Sequence, residues 1–135
     1  MGFAQMVYPQ KTHLLSDTVI AQNIAEKIVT GTAGYSILKS IVRQTDVYPG
    51  GQLRIKYDYS EIGSNAVYAV FRNGVRIGDE MNATTSYQTK IQDFTFTNMR
   101  PGDIFTLQGK GSPTSFKVQN FYICAFVGDY ASTVV

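Results

Sequence analysis

Asn73-Gly74 lies between two runs of β-forming residues, 66–72 and 75–80. A two-residue type I′ turn needs positive φ at both central positions, and Asn-Gly accepts that more readily than almost any other pair. The dipeptide therefore predicts an antiparallel hairpin in the middle of the chain. The rest of the fold has to accommodate it.

The flanking sequence follows the same pattern. Leu53, Ile55 and Tyr57 alternate with Gln52, Arg54, Lys56 and Asp58, as in a strand with one buried face. Tyr59 keeps the phase of Tyr57, so both tyrosines are expected in or beside the core. Further strands are predicted over 35–45, 87–97, 104–108 and 116–127. Pro49-Gly50-Gly51, Pro101-Gly102-Asp103 and the Gly109, Gly111, Pro113 segment supply the turns. Residues 19–29 are ambiguous, because Ile20, Ile24 and Ile28 fit a helical period as well as period two. The strand reading follows from the β-character of everything downstream. About eight strands result, with turns at the spacing of an all-β antiparallel β-sandwich (jelly-roll). The domain spans 19–129, preceded by an N-terminal arm (1–18) and followed by a short C-terminal tail (130–135).

Two segments echo each other 52 residues apart. Thr32-Ala33-Gly34-Tyr35 matches Thr84-Thr85-Ser86-Tyr87, Pro49-Gly50 matches Pro101-Gly102, and Leu53 and Ile55 match Phe105 and Leu107. The expectation is two similar hairpins, one in each of two facing sheets.

The chain offers little catalytic chemistry. Its one cysteine, Cys124, sits in the apolar run 121–127 and is expected to be a buried, inert thiol. Its one histidine, His13, falls in the arm. No Gly-x-Ser-x-Gly elbow or phosphate-binding glycine loop appears. Asp79, Glu80, Asp93, Asp103 and Asp129 lie on or near turns, where lone acids are usually solvated turn formers rather than Ca²⁺ ligands. No catalytic, cofactor or metal residue is assigned, and a non-enzymatic protein is expected. Twelve Lys and Arg are scattered without a run and the net charge is +2, so neither nucleic acid nor an anionic membrane is expected as a partner. The first ten residues lack the basic and apolar regions of a secretory signal, and no stretch of ~18 apolar residues would span a membrane. With nine Tyr, eight Phe and no Trp, exposed tyrosines are the natural contact candidates: Tyr8, Tyr48 and Tyr130, which fall in loops or ends.

The order Tyr68 to Gly78, Thr84-Thr85-Ser86-Tyr87, Pro101-Gly102-Asp103 and Val118-Gln119-Asn120-Phe121 resembles the jelly-roll accessory, decoration and tail-associated structural proteins of phages and other viruses. The resemblance covers about half the chain and rests on turn chemistry. It implies a virion or extracellular-surface location and a capsid decoration, spike or fibre subunit. Such a subunit would work by homo-oligomeric assembly with other virion proteins, its ends laid on neighbours. The alternative is a carbohydrate- or receptor-binding β-sandwich module with a glycan or host receptor as partner.

Overall fold

The computed structural model describes residues 19–42, 52–96, 100 and 102–124. The arm 1–18, the Pro49-Gly50-Gly51 turn, the tail 130–135 and the domain limit at 129 lie outside the described residues.

Among the described residues ten strands form two antiparallel sheets. They are β1 (Val19–Asn23), β2 (Lys27–Thr30), β3 (Ser36–Val42), β4 (Gln52–Gly63) and β5 (Val67–Arg72), then β6 (Val75–Arg76), β7 (Met81–Asn82), β8 (Gln88–Thr95), β9 (Ile104–Lys110) and β10 (Thr114–Cys124). The front sheet runs β1-β10-β4-β8, with β2 also on β10; the back sheet runs β3-β9-β5-β6, with β7 also on β5. The count is ten rather than eight because two strands are broken. β1 and β2 line successive stretches of β10, and β6 and β7 line the two ends of β5. Taking each broken pair as one strand gives the eight-strand jelly-roll arrangement, with successive strands largely alternating between sheets. The ambiguous run 19–29 is thus strand, interrupted at 24–26.

The Asn73-Gly74 hairpin forms as expected. Its φ values are 50° and 83°, and Phe71 and Arg72 pair with Arg76 and Val75. The strand beyond it is shorter than expected. The amides of Ile77 and Gly78 both donate to the Val70 carbonyl, at 3.0 and 3.1 Å, and end the ladder.

The 52-residue echo is real in structure, but its meaning differs from the expected hairpins. β3 and β4 lie in opposite sheets, as do β8 and β9. Each copy is a crossing between sheets, and the copies pair crosswise, β3 with β9 and β4 with β8. The local geometry repeats too. Thr32 Oγ1 donates to the Gly34 carbonyl at 2.7 Å, and Thr84 Oγ1 to the Ser86 carbonyl at 3.1 Å.

The core follows the period-two pattern. Leu53, Ile55, Tyr57 and Tyr59 of β4 and Phe116, Val118, Phe121 and Ile123 of β10 face Tyr68 and Val70 of β5 and Phe105 and Leu107 of β9. Both tyrosines read as core are buried, and so is Cys124. The open sides between the sheets are closed by lysines. Lys39 Nζ donates to Asn23 Oδ1 at 2.9 Å on one side, and Lys90 meets Asp79 at 3.3 Å on the other.

Candidate functional site

In β10 the apolar positions are Phe116, Val118, Phe121 and Ile123, so the spacing changes from two to three between Val118 and Phe121. A regular strand cannot bury all four on one face. The chain solves this with a β-bulge: the register with β4 shifts between Gln119 and Tyr122. Asn120 is the extra residue. It takes φ 55°, a left-handed conformation that Asn tolerates better than most side chains, and its amide donates to the Ile24 carbonyl at 3.1 Å. That contact falls in the gap between β1 and β2.

The bulge re-aims two consecutive side chains. Neighbours on a regular strand point to opposite faces. Here Gln119 Nε2 and Asn120 Nδ2 both donate to Asp58 Oδ2, at 3.3 and 2.9 Å. Thr89 Oγ1 of β8 donates to Asp58 Oδ1 at 2.8 Å. Asp58 points outward from β4, opposite in phase to the buried Tyr57 and Tyr59. Three strands thus converge on one carboxylate at the middle of the front sheet's outer face.

Two tyrosines flank this centre. Tyr122, half-buried, pairs with Lys56, which pairs in turn with the exposed Ile91. On the other side Tyr87 Oη donates to Glu26 at 2.6 Å, and the Lys117 ammonium lies 5.1 Å from the Tyr87 ring centre. Burial, and then the hydrogen bond and charge of Glu26, push the Tyr87 hydroxyl's pKa well above its usual value. By register the two tyrosines are about 13 Å apart along the strands. The named charges on this face balance: Glu26, Asp58 and Asp93 against Arg54, Lys56 and Lys117.

The back sheet carries a counterpart of the tyrosine cluster and a register shift of its own, between Ile37 and Lys39 of β3. Tyr35, the echo of Tyr87, donates to Glu80 at 2.5 Å, and Lys110 lies 4.8 Å from its ring centre and 3.1 Å from Glu80. Each outer face therefore has a Tyr-Glu-Lys triad, and the Asp58 centre is what distinguishes the front face.

A cleft of about 470 Å³ at one end of the sandwich is lined by Arg72, Asn73, Val75, Ile77, Arg100 and Asp103. Its polar groups chiefly serve one another. Asp103 Oδ2 accepts from Arg72 Nη2 at 2.8 Å and from the Arg100 amide at 3.1 Å, and its Oδ1 accepts from Asn73 Nδ2 at 3.0 Å. Asn73 Oδ1 accepts the Ile104 amide at 2.8 Å. This network ties the β5–β6 turn to the start of β9.

Tyr8, Tyr48 and Tyr130, the expected contact residues, and His13 lie outside the described residues, as does Asp129. Asp103 is not the solvated turn former expected; it is buried in an ion pair. Asp79, Glu80 and Asp93 meet Lys90, Lys110 and Arg54 respectively. The Asp58, Gln119 and Asn120 constellation was not anticipated. Its signal was the three-residue step from Val118 to Phe121 with an Asn inside it.

The sequence matches no family model and no curated protein. Among solved structures the chain is similar to dimeric latent PorU from Porphyromonas gingivalis, with a TM-score of 0.53, 6% identity and 87% of this chain covered. It spans 14% of the length of that chain. It is also similar to the CBM35 from Paenibacillus barcinonensis, with a TM-score of 0.43, 14% identity, and coverage of 82% of this chain and 97% of that one. At 6% identity the likeness to the first is one of fold alone.

Proposed function

We propose that the chain is a non-catalytic binding module whose front-sheet face, centred on Asp58, takes a neutral polyhydroxylated ligand, an oligosaccharide. The observation that carries this is the convergence of Gln119 and Asn120 on Asp58 through a bulge with a left-handed Asn. Bulges and non-glycine residues at positive φ gather where a fold must aim side chains for a purpose. A carboxylate between two amides and a hydroxyl presents acceptors and donors at close spacing, which suits vicinal hydroxyls. Tyr122 and Tyr87 offer rings against which the apolar face of a sugar packs. The balanced charge of the face favours an uncharged ligand over an anion or polycation.

The capsid, spike or fibre reading draws on the resemblance in turn order and on the chain ends; no described contact or structural likeness adds to it.

The test is a screen of neutral oligosaccharides followed by calorimetry on the wild type, Asp58→Ala and Tyr122→Ala. At least a tenfold loss of affinity in each variant, about 1.4 kcal/mol, is expected with the fold intact. Binding unchanged in both variants, or no binding to any glycan, overturns the proposal.

A further inference from the structure

An antiparallel sandwich has four edges, and each exposes unpaired backbone groups to any strand that approaches. Three of the four edges here are guarded. β1 and β2 are short, interrupted at 24–26, and β1 carries an irregularity between Val19 and Ala21. β3 has a register shift between Ile37 and Lys39, and Lys39 is a buried lysine at that edge. β6 and β7 have two residues each. Bulges, inward charges and short strands are the usual defences of an edge.

β8 is different. It pairs with β4 over eight consecutive residues, from Tyr59 with Gln88 to Gln52 with Thr95, without a register shift. Among the described residues no strand pairs with its other side. It holds neither Pro nor Gly, and Ile91 near its centre is 52% exposed. Its two charges are held by the chain itself. Lys90 meets Asp79 at 3.3 Å, and Asp93 takes Arg54 Nε and Nη2 at 2.8 and 3.2 Å. Another strand could add here without stranding either charge.

We infer that β8 is a self-association edge, and that its partner is β8 of a second copy in a two-fold antiparallel pair centred on Ile91. Charge and overlap select the register, since centring on Thr89 or Phe94 would pair only three positions of the strand. A two-fold pairing keeps outer-face residues on one face, so only a few centres are available. Centring on Lys90 or Asp93 sets like charges opposite each other, and centring on Gln92 sets Asp93 against Ile91 of the other copy. Centring on Ile91 packs the two exposed isoleucines together. It also places Thr89 across from Asp93 and Lys90 across from Gln92, with no like charges opposed.

The product is one continuous front sheet across both copies, with the two Asp58 faces on the same side. By strand spacing and rise the two centres lie about 20 Å apart. A single strand pair is a small interface, under the ~1,200 Å² typical of stable complexes, so the dimer forms and dissociates with concentration.

The experiment uses the full chain. Mass is followed by sedimentation from low to high micromolar concentration, for the wild type and Ile91→Lys. Disulfide formation under mild oxidation is followed for Ile91→Cys, with the exposed Ile37→Cys on β3 as control. Residues directly opposite in such a pair are close enough for a disulfide. The expected result is a wild-type dimer at high concentration, a monomeric Ile91→Lys with an unchanged melting temperature, and cross-linking at position 91 but not 37. A monomer throughout without cross-linking at 91 overturns the inference, as does a dimer that survives Ile91→Lys. So does a monomer whose β8 amides are all protected from hydrogen exchange, since the chain itself would then cover the edge. None of these outcomes depends on whether a glycan binds.

Discussion

The Tyr68 hydroxyl, carried by the back sheet, reaches the front sheet's ladder and accepts the Lys117 amide at 3.0 Å. The same hydroxyl donates to the Ser60 carbonyl. Lys117 and Ser60 are register partners in β10 and β4, so a side chain from one sheet bridges a rung of the other. Directed bonds thus join the two layers within the core, as Lys39 with Asn23 and Lys90 with Asp79 do at its open sides. Tyr57 offers the contrast: its ring is equally buried, but among the described residues its hydroxyl has no partner.

That contrast yields paired expectations. Tyr68→Phe leaves a buried carbonyl and an amide unpaired and should cost about 1–3 kcal/mol in urea unfolding. Tyr57→Phe removes a hydroxyl that is desolvated without return, so it should be neutral or stabilising. Equal losses in both variants would mean that ring packing alone accounts for Tyr68.

Alkaline pH should unfold the protein through its tyrosines. Burial pushes the Tyr68 hydroxyl up to about 12, and burial followed by the bond to Glu80 does the same for Tyr35. Burial raises Tyr57 and Tyr87 as well. In the unfolded chain these groups ionise near pH ~10. A folded pKa above the unfolded one contributes stability that is complete below pH ~10 and lost as pH rises towards the folded value. Tyrosinate absorbance from these groups should therefore appear late, together with loss of near-ultraviolet dichroism. A single smooth titration of all nine tyrosines near pH ~10, with the fold intact, would contradict this.

Asp103 should behave as a buried ion-pair partner. Burial alone would raise its pKa, but the bonds from Asn73, Arg72 and the Arg100 amide outweigh it and hold the carboxyl below its usual value. Asp103→Ala leaves Arg72 without this carboxylate in a largely enclosed position, an expected loss of about 3–5 kcal/mol. Because the folded pKa is depressed, the wild type should lose this contribution as pH falls below ~4, and the variant should have a flatter acid limb. Chemical denaturation at a series of pH values reads both effects.

Much of the sandwich was legible because turn chemistry is local. Asn73-Gly74 states its own conformation, and the alternation through Leu53, Ile55, Tyr57 and Tyr59 names its buried face. The echo at 52 residues marked equivalent places, yet local sequence could not say that each copy crosses between sheets, since pairing partners are set by distant strands. Asp103 read as a solvated turn acid because Arg72 lies 31 residues away and reaches it only in the fold. The Asp58 centre stayed hidden for a related reason: it is assembled from β4, β8 and β10, and only the spacing irregularity in β10 hinted at it.

Asn120 gives the clearest separation of architecture from recognition. Its left-handed φ is required by the bulge, and its side chain is required by the Asp58 centre. Asn120→Gly keeps access to that φ while deleting the amide, so stability should change by less than about 1 kcal/mol. Asn120→Ala deletes the amide and also forces a Cβ into the left-handed region without a compensating polar group, which should cost roughly 1–2 kcal/mol. If the face binds sugar, both variants lose affinity to a similar extent although only the alanine variant is clearly destabilised. Thermal melts beside calorimetry on the same three proteins decide it. Affinity that tracks stability, falling only in Asn120→Ala, would assign the residue to the fold alone, whereas equal loss in both would place its side chain in the binding surface.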